Sequence, residues 1–118
     1  NLTEVLTPEA YVHLDRLNDR ILAGCQSVID DFNLPGYTVG LGSKGCVTFS
    51  TEKIVDYASF KANQNGPLCD LAWLYNMNRG IYMTPGREEE WTLSVTHDDA
   101  AVDAYVAVFR EMAADLTA

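Results

Sequence analysis

Apolar residues recur at every third or fourth position early in the chain: Leu14, Leu17, Ile21, Cys25, Val28 and Phe32 form one stripe, widened by Tyr11, Leu22 and Ile29. That period belongs to an amphipathic helix. Its start is written in Thr7-Pro8-Glu9, which supplies a capping hydroxyl, a proline whose missing N–H is not needed there, and an acid at the positive end of the helix dipole. Asn33-Leu34-Pro35-Gly36 stops it. Gly24 weakens the middle of this helix by about 1 kcal/mol relative to alanine, which points to close packing against another element.

The period then changes to two. Tyr37, Val39 and Leu41 alternate with Thr38, Gly40 and Gly42, and after Ser43-Lys44-Gly45 a second alternating run covers Cys46 to Phe49. We read this as an antiparallel hairpin with a three-residue connection ending in glycine. Ser50 to Lys61 fits neither period and is expected to be a partly helical crossover. Asn63-Gln64-Asn65-Gly66 is a turn cluster, and Pro67 opens a helix with Leu68, Leu71, Ala72 and Tyr75 on one face and Trp73 and Leu74 facing elsewhere. Gly80 ends that helix in the C′ position. A β-like run at Ile81 to Thr84, a turn at Pro85-Gly86 and a second β-like run at Trp91 to Val95 follow. Asp98, Asp99 and Asp103 then open a last helix with a stripe of Val102, Tyr105, Val106, Phe109, Met112, Ala113 and Leu116. The expected fold is a single α+β domain over residues 1–118, a small antiparallel sheet of three to four strands with three helices packed on one face.

Composition narrows the function classes. A chain of 118 residues supports one core. The net charge of −9, from 17 acidic and 8 basic residues, disfavours nucleic acid and anionic membrane surfaces, both of which need a positive field. Cys25, Cys46 and Cys69 form no C-x-x-C pair, and His13 and His97 lie far apart, so no zinc-ligand spacing is present and no metal is expected. Free thiols in a reducing compartment, the cytoplasm, are the expectation. No apolar run approaches the ~20 residues of a membrane span, and no signal peptide is visible. The chain opens on Asn-Leu-Thr rather than methionine, from which we expect processing or a cut end.

Phosphate-cradling glycine motifs and the G-x-S-x-G nucleophile elbow are missing. What chemistry the sequence offers is gathered between Asn78 and Asp98, where Arg87 precedes three glutamates and His97 follows. That set is not a catalytic constellation by itself.

The same stretch carries a resemblance. Arg79-Gly80-Ile81-Tyr82-Met83-Thr84-Pro85, then eight residues to Ser94, then His97 ahead of an acidic helix start, resembles the end of class III (fold type I) pyridoxal-phosphate aminotransferases. It is most similar to their glutamate-1-semialdehyde 2,1-aminomutase branch, where the stretch reads R-G-V-Y-x-x-P-S-Q-F-E-A-x-F-x-S-x-A-H-T. The order of elements upstream also matches that family's small C-terminal domain, so the resemblance covers essentially the whole chain. It implies one domain of a longer enzyme, a homodimer whose pyridoxal 5'-phosphate, reactive lysine and phosphate-binding turn belong to a preceding large domain. Lys44, Lys53 and Lys61 match none of those contexts, so no catalytic or cofactor-binding residue is assigned within the chain. The resemblance implies that this domain closes one side of the substrate pocket and is inactive alone. Glu89 falls on the family's glutamate, and Arg87 replaces its glutamine; both are candidate substrate-binding residues, Arg87 through a two-pronged bond to a carboxylate. The alternative for Arg87 is a solvated turn in which it pairs with Glu88 or Glu90. His97 matches the family histidine and is a candidate for a structural or pocket-rim role beside the last helix. Residues 86–91 are more charged than in the aminomutases, which keeps open a transaminase of an amino acid or amine. A free-standing acidic interaction module is the reading from another class.

Overall fold

The computed structural model describes residues 2–87 and 90–118. Glu89, one of the two candidate substrate residues, lies outside them. Helix α1 spans Pro8–Phe32, and the Thr7 hydroxyl accepts from the Ala10 N–H, as its capping sequence predicts. At its other end Asn33 takes a left-handed φ of 50°, and the Leu34 N–H reaches back to the Ile29 carbonyl, which closes the last turn.

Strands β1 (Tyr37–Leu41) and β2 (Lys44–Thr48) pair antiparallel with Leu41 opposite Lys44. The connection is therefore the two residues Gly42-Ser43, not Ser43-Lys44-Gly45. Gly42 has φ +61°, the conformation a tight two-residue hairpin asks of its first loop residue. Gly45 sits inside β2 for another reason: a Cβ there would lie 2.6 Å from the Trp91 ring. Strand β3 is short, Glu90–Thr92, and pairs with β2 so that Gly45 faces Trp91, giving the sheet order β1-β2-β3.

The crossover is helical over Tyr57–Asn63 (α2), where Asp56 and Ser59 form a reciprocal capping box. With α3 (Gly66–Asn78) and α4 (Asp99–Thr117) the described residues hold four helices, one more than the sequence reading counted. Asn65 caps α3 through the Leu68 N–H, and Gly80, at φ +79°, ends it in a pair of return hydrogen bonds from Gly80 to Met77 and from Ile81 to Asn76. The buried face of α3 runs through Leu68, Cys69, Ala72 and Asn76, whereas Leu71 is exposed. Ile81 to Thr84, expected to be β-like, has no regular secondary structure and pairs with none of the three strands. The Met83 carbonyl instead accepts the Trp73 indole N–H.

Helices α1 and α4 lie together on one face of the sheet. Leu17, Cys25 and Val28 from α1 and Val102 from α4 are fully buried, joined by Phe49, Phe109, Trp91 and Tyr105. Gly24 sits where α4 comes nearest, since a Cβ there would lie 2.7 Å from Val106 Cγ2. Outside this seam, Arg16 pairs with Asp99, Arg20 holds Asp103 in a two-pronged bond, and Arg110 reaches Asp31. Asn18, buried on α1, donates to the Lys44 carbonyl and accepts the Trp91 indole N–H, tying α1 to β2 and β3. On the free side of β1, Gln26 accepts both the Thr38 N–H and its hydroxyl.

Candidate functional site

Because side chains alternate across a strand, the residues of β1 and β2 that do not face α1 share the opposite face of the sheet. Tyr37, Val39 and Leu41 stand there beside Lys44, Cys46 and Thr48. The crossover covers only one end, where the Tyr37 hydroxyl accepts the Ile54 N–H. Val39 stays 50% exposed and Leu41 88% exposed. Between this face and the start of α3 lies a groove of about 560 Å³, mainly apolar, reached by Phe60 and Cys69 and rimmed by Lys44, Arg87 and Glu90.

Arg87 is placed on that rim, and the partner described for it is Asp70; of the two glutamates offered as local partners, Glu88 lies outside the described residues. Its Nε and Nη2 donate to the two carboxylate oxygens of Asp70, at 3.1 and 2.9 Å. Glu90 pairs instead with Lys44 Nζ at 2.6 Å. The guanidinium lies over Gly66 at the start of α3, where a Cβ would come within 2.6 Å of Nη1. Asp70 was not singled out from the sequence, since it stands seventeen residues from Arg87 and on an ordinary helix surface.

His97 lies apart from Arg87, on a second groove of about 540 Å³ formed by residues 80–84, β3 and α4. Its Nδ1 accepts the Ser94 N–H at 2.9 Å, its own N–H closes a turn to the Ser94 carbonyl, and its carbonyl meets His13 Nε2. These bonds shape the turn that delivers Asp98, whose side chain caps α4 through the Ala101 N–H. Arg79 is likewise spent on structure: it stacks 3.4 Å above the Tyr75 ring and bonds Glu111, while the Tyr75 hydroxyl donates to Asp115. Desolvation and that bond to Asp115 push the Tyr75 phenol up to about 12. Burial alone pushes the Cys25 thiol up to about 12. None of the three cysteines is in a disulfide.

Among the described residues no group of three His, Cys, Asp or Glu side chains is gathered to hold a metal, and no helix is long and apolar enough to cross a membrane. Nor do the residues present fit an aldehyde cofactor. Lys44, on the groove rim, is paired with Glu90 and 58% exposed, the opposite of the desolvated setting that activates a lysine amine. Lys61 lies over the Tyr57 ring, itself 71% exposed.

Comparison with known proteins places the fold. The chain has the α+β architecture of an aminotransferase C-terminal domain. In sequence it is similar to glutamate-1-semialdehyde 2,1-aminomutases: 28% identical over 102 residues to aminomutase 2 of Bacillus mycoides (strain KBAB4), and 26% to aminomutase 1 of Bacillus cereus (strain G9842). Each match covers 86% of this chain, which spans about a quarter (24%) of those relatives' length. The glutamate-1-semialdehyde-aminomutase of Pseudomonas aeruginosa PAO1 superposes with a TM-score of 0.88 at 23% identity, covering 96% of this chain and 25% of that one. An omega-transaminase from Sphaerobacter thermophilus gives 0.77 at 21% identity, covering 93% of this chain and 25% of that one. No family model matches.

Proposed function

We propose that residues 1–118 form the small C-terminal domain of a pyridoxal-phosphate-dependent enzyme of the glutamate-1-semialdehyde aminomutase type, and that this domain closes one side of the substrate pocket. The cofactor and reactive lysine then belong to a large domain of the same chain, in a homodimeric, cytoplasmic enzyme, and the 118 residues are inactive alone. The observation that carries this reading is the half-open sheet face: an apolar groove, Val39 and Leu41 bare beside it, and one arginine on its rim. Such a surface suits a second domain laid on it, with a small substrate held between. Arg87 is the group on that rim whose planar fork matches a substrate carboxylate, and Glu89 is proposed as its neighbour at the pocket mouth. The charge of residues 86–91 favours a second reading within the same family, a transaminase of an amino acid or amine.

The test is kinetic. In the full-length protein, Arg87→Gln should raise the KM for glutamate-1-semialdehyde by about tenfold or more, the usual loss when a charged two-pronged contact goes, with kcat much less affected. Turnover of amino-acid and keto-acid pairs in place of the semialdehyde would select the transaminase reading. The isolated 118 residues, mixed with pyridoxal phosphate and borohydride, should give no single dominant labelled lysine; such an adduct would contradict the division of labour proposed.

A further inference from the structure

Arg87 is offered above as a carboxylate-binding group, yet a carboxylate already occupies its fork. Asp70 takes Nε and Nη2 with both of its oxygens, the same geometry a ligand carboxylate uses. Two further features make this a seat built for the guanidinium. Gly66 is buried, and its missing side chain leaves the space that Nη1 occupies. The guanidinium also lies over the N-terminal end of α3, where the helix dipole repels a cation, and the Asp70 charge offsets that repulsion. Both partners are half exposed, at 52% and 56%, and exposed ion pairs of this kind are weak.

We propose that Asp70 is a specificity-determining residue: an internal stand-in carboxylate that holds Arg87 in a Gly66-lined seat, so that a ligand carboxylate entering the groove binds by exchange with it. This rests on the carboxylate-binding role proposed for Arg87. Binding of a carboxylate at Arg87 is weakened by the strength of the pair it displaces, and ligands without a carboxylate leave the pair intact. Residues 85–87 then stay pinned to α3 unless the ligand carries the right charge.

The experiment is titration calorimetry of the full-length protein with glutarate, a dicarboxylate probe, and with uncharged glutaramide. Asp70→Asn removes the competing charge and is expected to tighten glutarate by between about 1.5- and 5-fold, the range set by an exposed pair, with glutaramide unchanged. Gly66→Ala, which evicts the guanidinium sterically while keeping Asp70, is expected to act in the same direction. Neither change should have any effect in an Arg87→Gln background. Glutarate binding that is unchanged or weakened by Asp70→Asn, or a tightening that persists without Arg87 and so reflects only the general field, overturns the exchange. If Arg87→Gln alone leaves glutarate affinity unaltered, the carboxylate-binding role falls and the exchange with it.

Discussion

At the scale of single residues, Asn18 joins more of the structure than any charged group does. Its amide sits 2% exposed between the Lys44 carbonyl and the Trp91 indole, on the side of the sheet that is packed. Asn18→Ala would leave a buried donor and a buried acceptor without partners, a loss of about 1–3 kcal/mol. Urea unfolding would read this as a lower midpoint with an unchanged slope. The sequence hid this residue because an asparagine inside an apolar helical stripe reads as a gap in it. The partner of Arg87 was hidden differently. Two glutamates close to it in sequence made a local pair the obvious alternative, while Asp70 is brought alongside only where α3 meets residues 85–87.

At the scale of elements, the seam between α1 and α4 depends on Gly24. Alanine there would raise helix propensity by about 1 kcal/mol, but its methyl would lie 2.7 Å from Val106 Cγ2 in a well-packed seam. Overpacking costs about 1–3 kcal/mol, so the expected net effect of Gly24→Ala is destabilising, visible as a lower thermal midpoint and relieved by combining it with Val106→Ala. The suspicion of close packing at Gly24 was legible in the sequence, as were the caps at Thr7, Gly80 and Asp98, because each rests on backbone groups within a few residues. What failed was non-local. Glycines at both 42 and 45 fit a hairpin turn by composition, and the Trp91 ring that explains Gly45 lies on another strand. Ile81 to Thr84 has strand composition, yet strand identity needs a partner, and this stretch pairs with none of the three strands. Of the candidate site, the rim position of Arg87 followed from the family pattern; the groove beneath it, built by the hairpin face and the start of α3, did not.

At the scale of the whole molecule, a chain of charge −9 holds its two long helices together partly by ion pairs. The Arg20 fork holds the Asp103 carboxyl below its usual range, and the Arg79 bond does the same for Glu111. Lowered folded values mean that these contributions are present above the ordinary values of 3.8 and 4.5 and are lost as pH falls below them. Stability should therefore decline from about pH 4.5 downward, and Asp103→Asn should differ from the wild type at pH 6 by an amount that shrinks as pH falls below 3.8; urea midpoints across that interval would check both. The same scale gives the bond between Gln26 and Thr38 a wider meaning. With the Thr38 N–H already engaged, the outer margin of β1 offers an incoming strand an interrupted row of donors. Growth of the sheet sideways is thereby discouraged, so the second domain proposed above would lie flat across Val39 and Leu41 rather than extend the ladder, and could part and re-seat without breaking a single strand pairing.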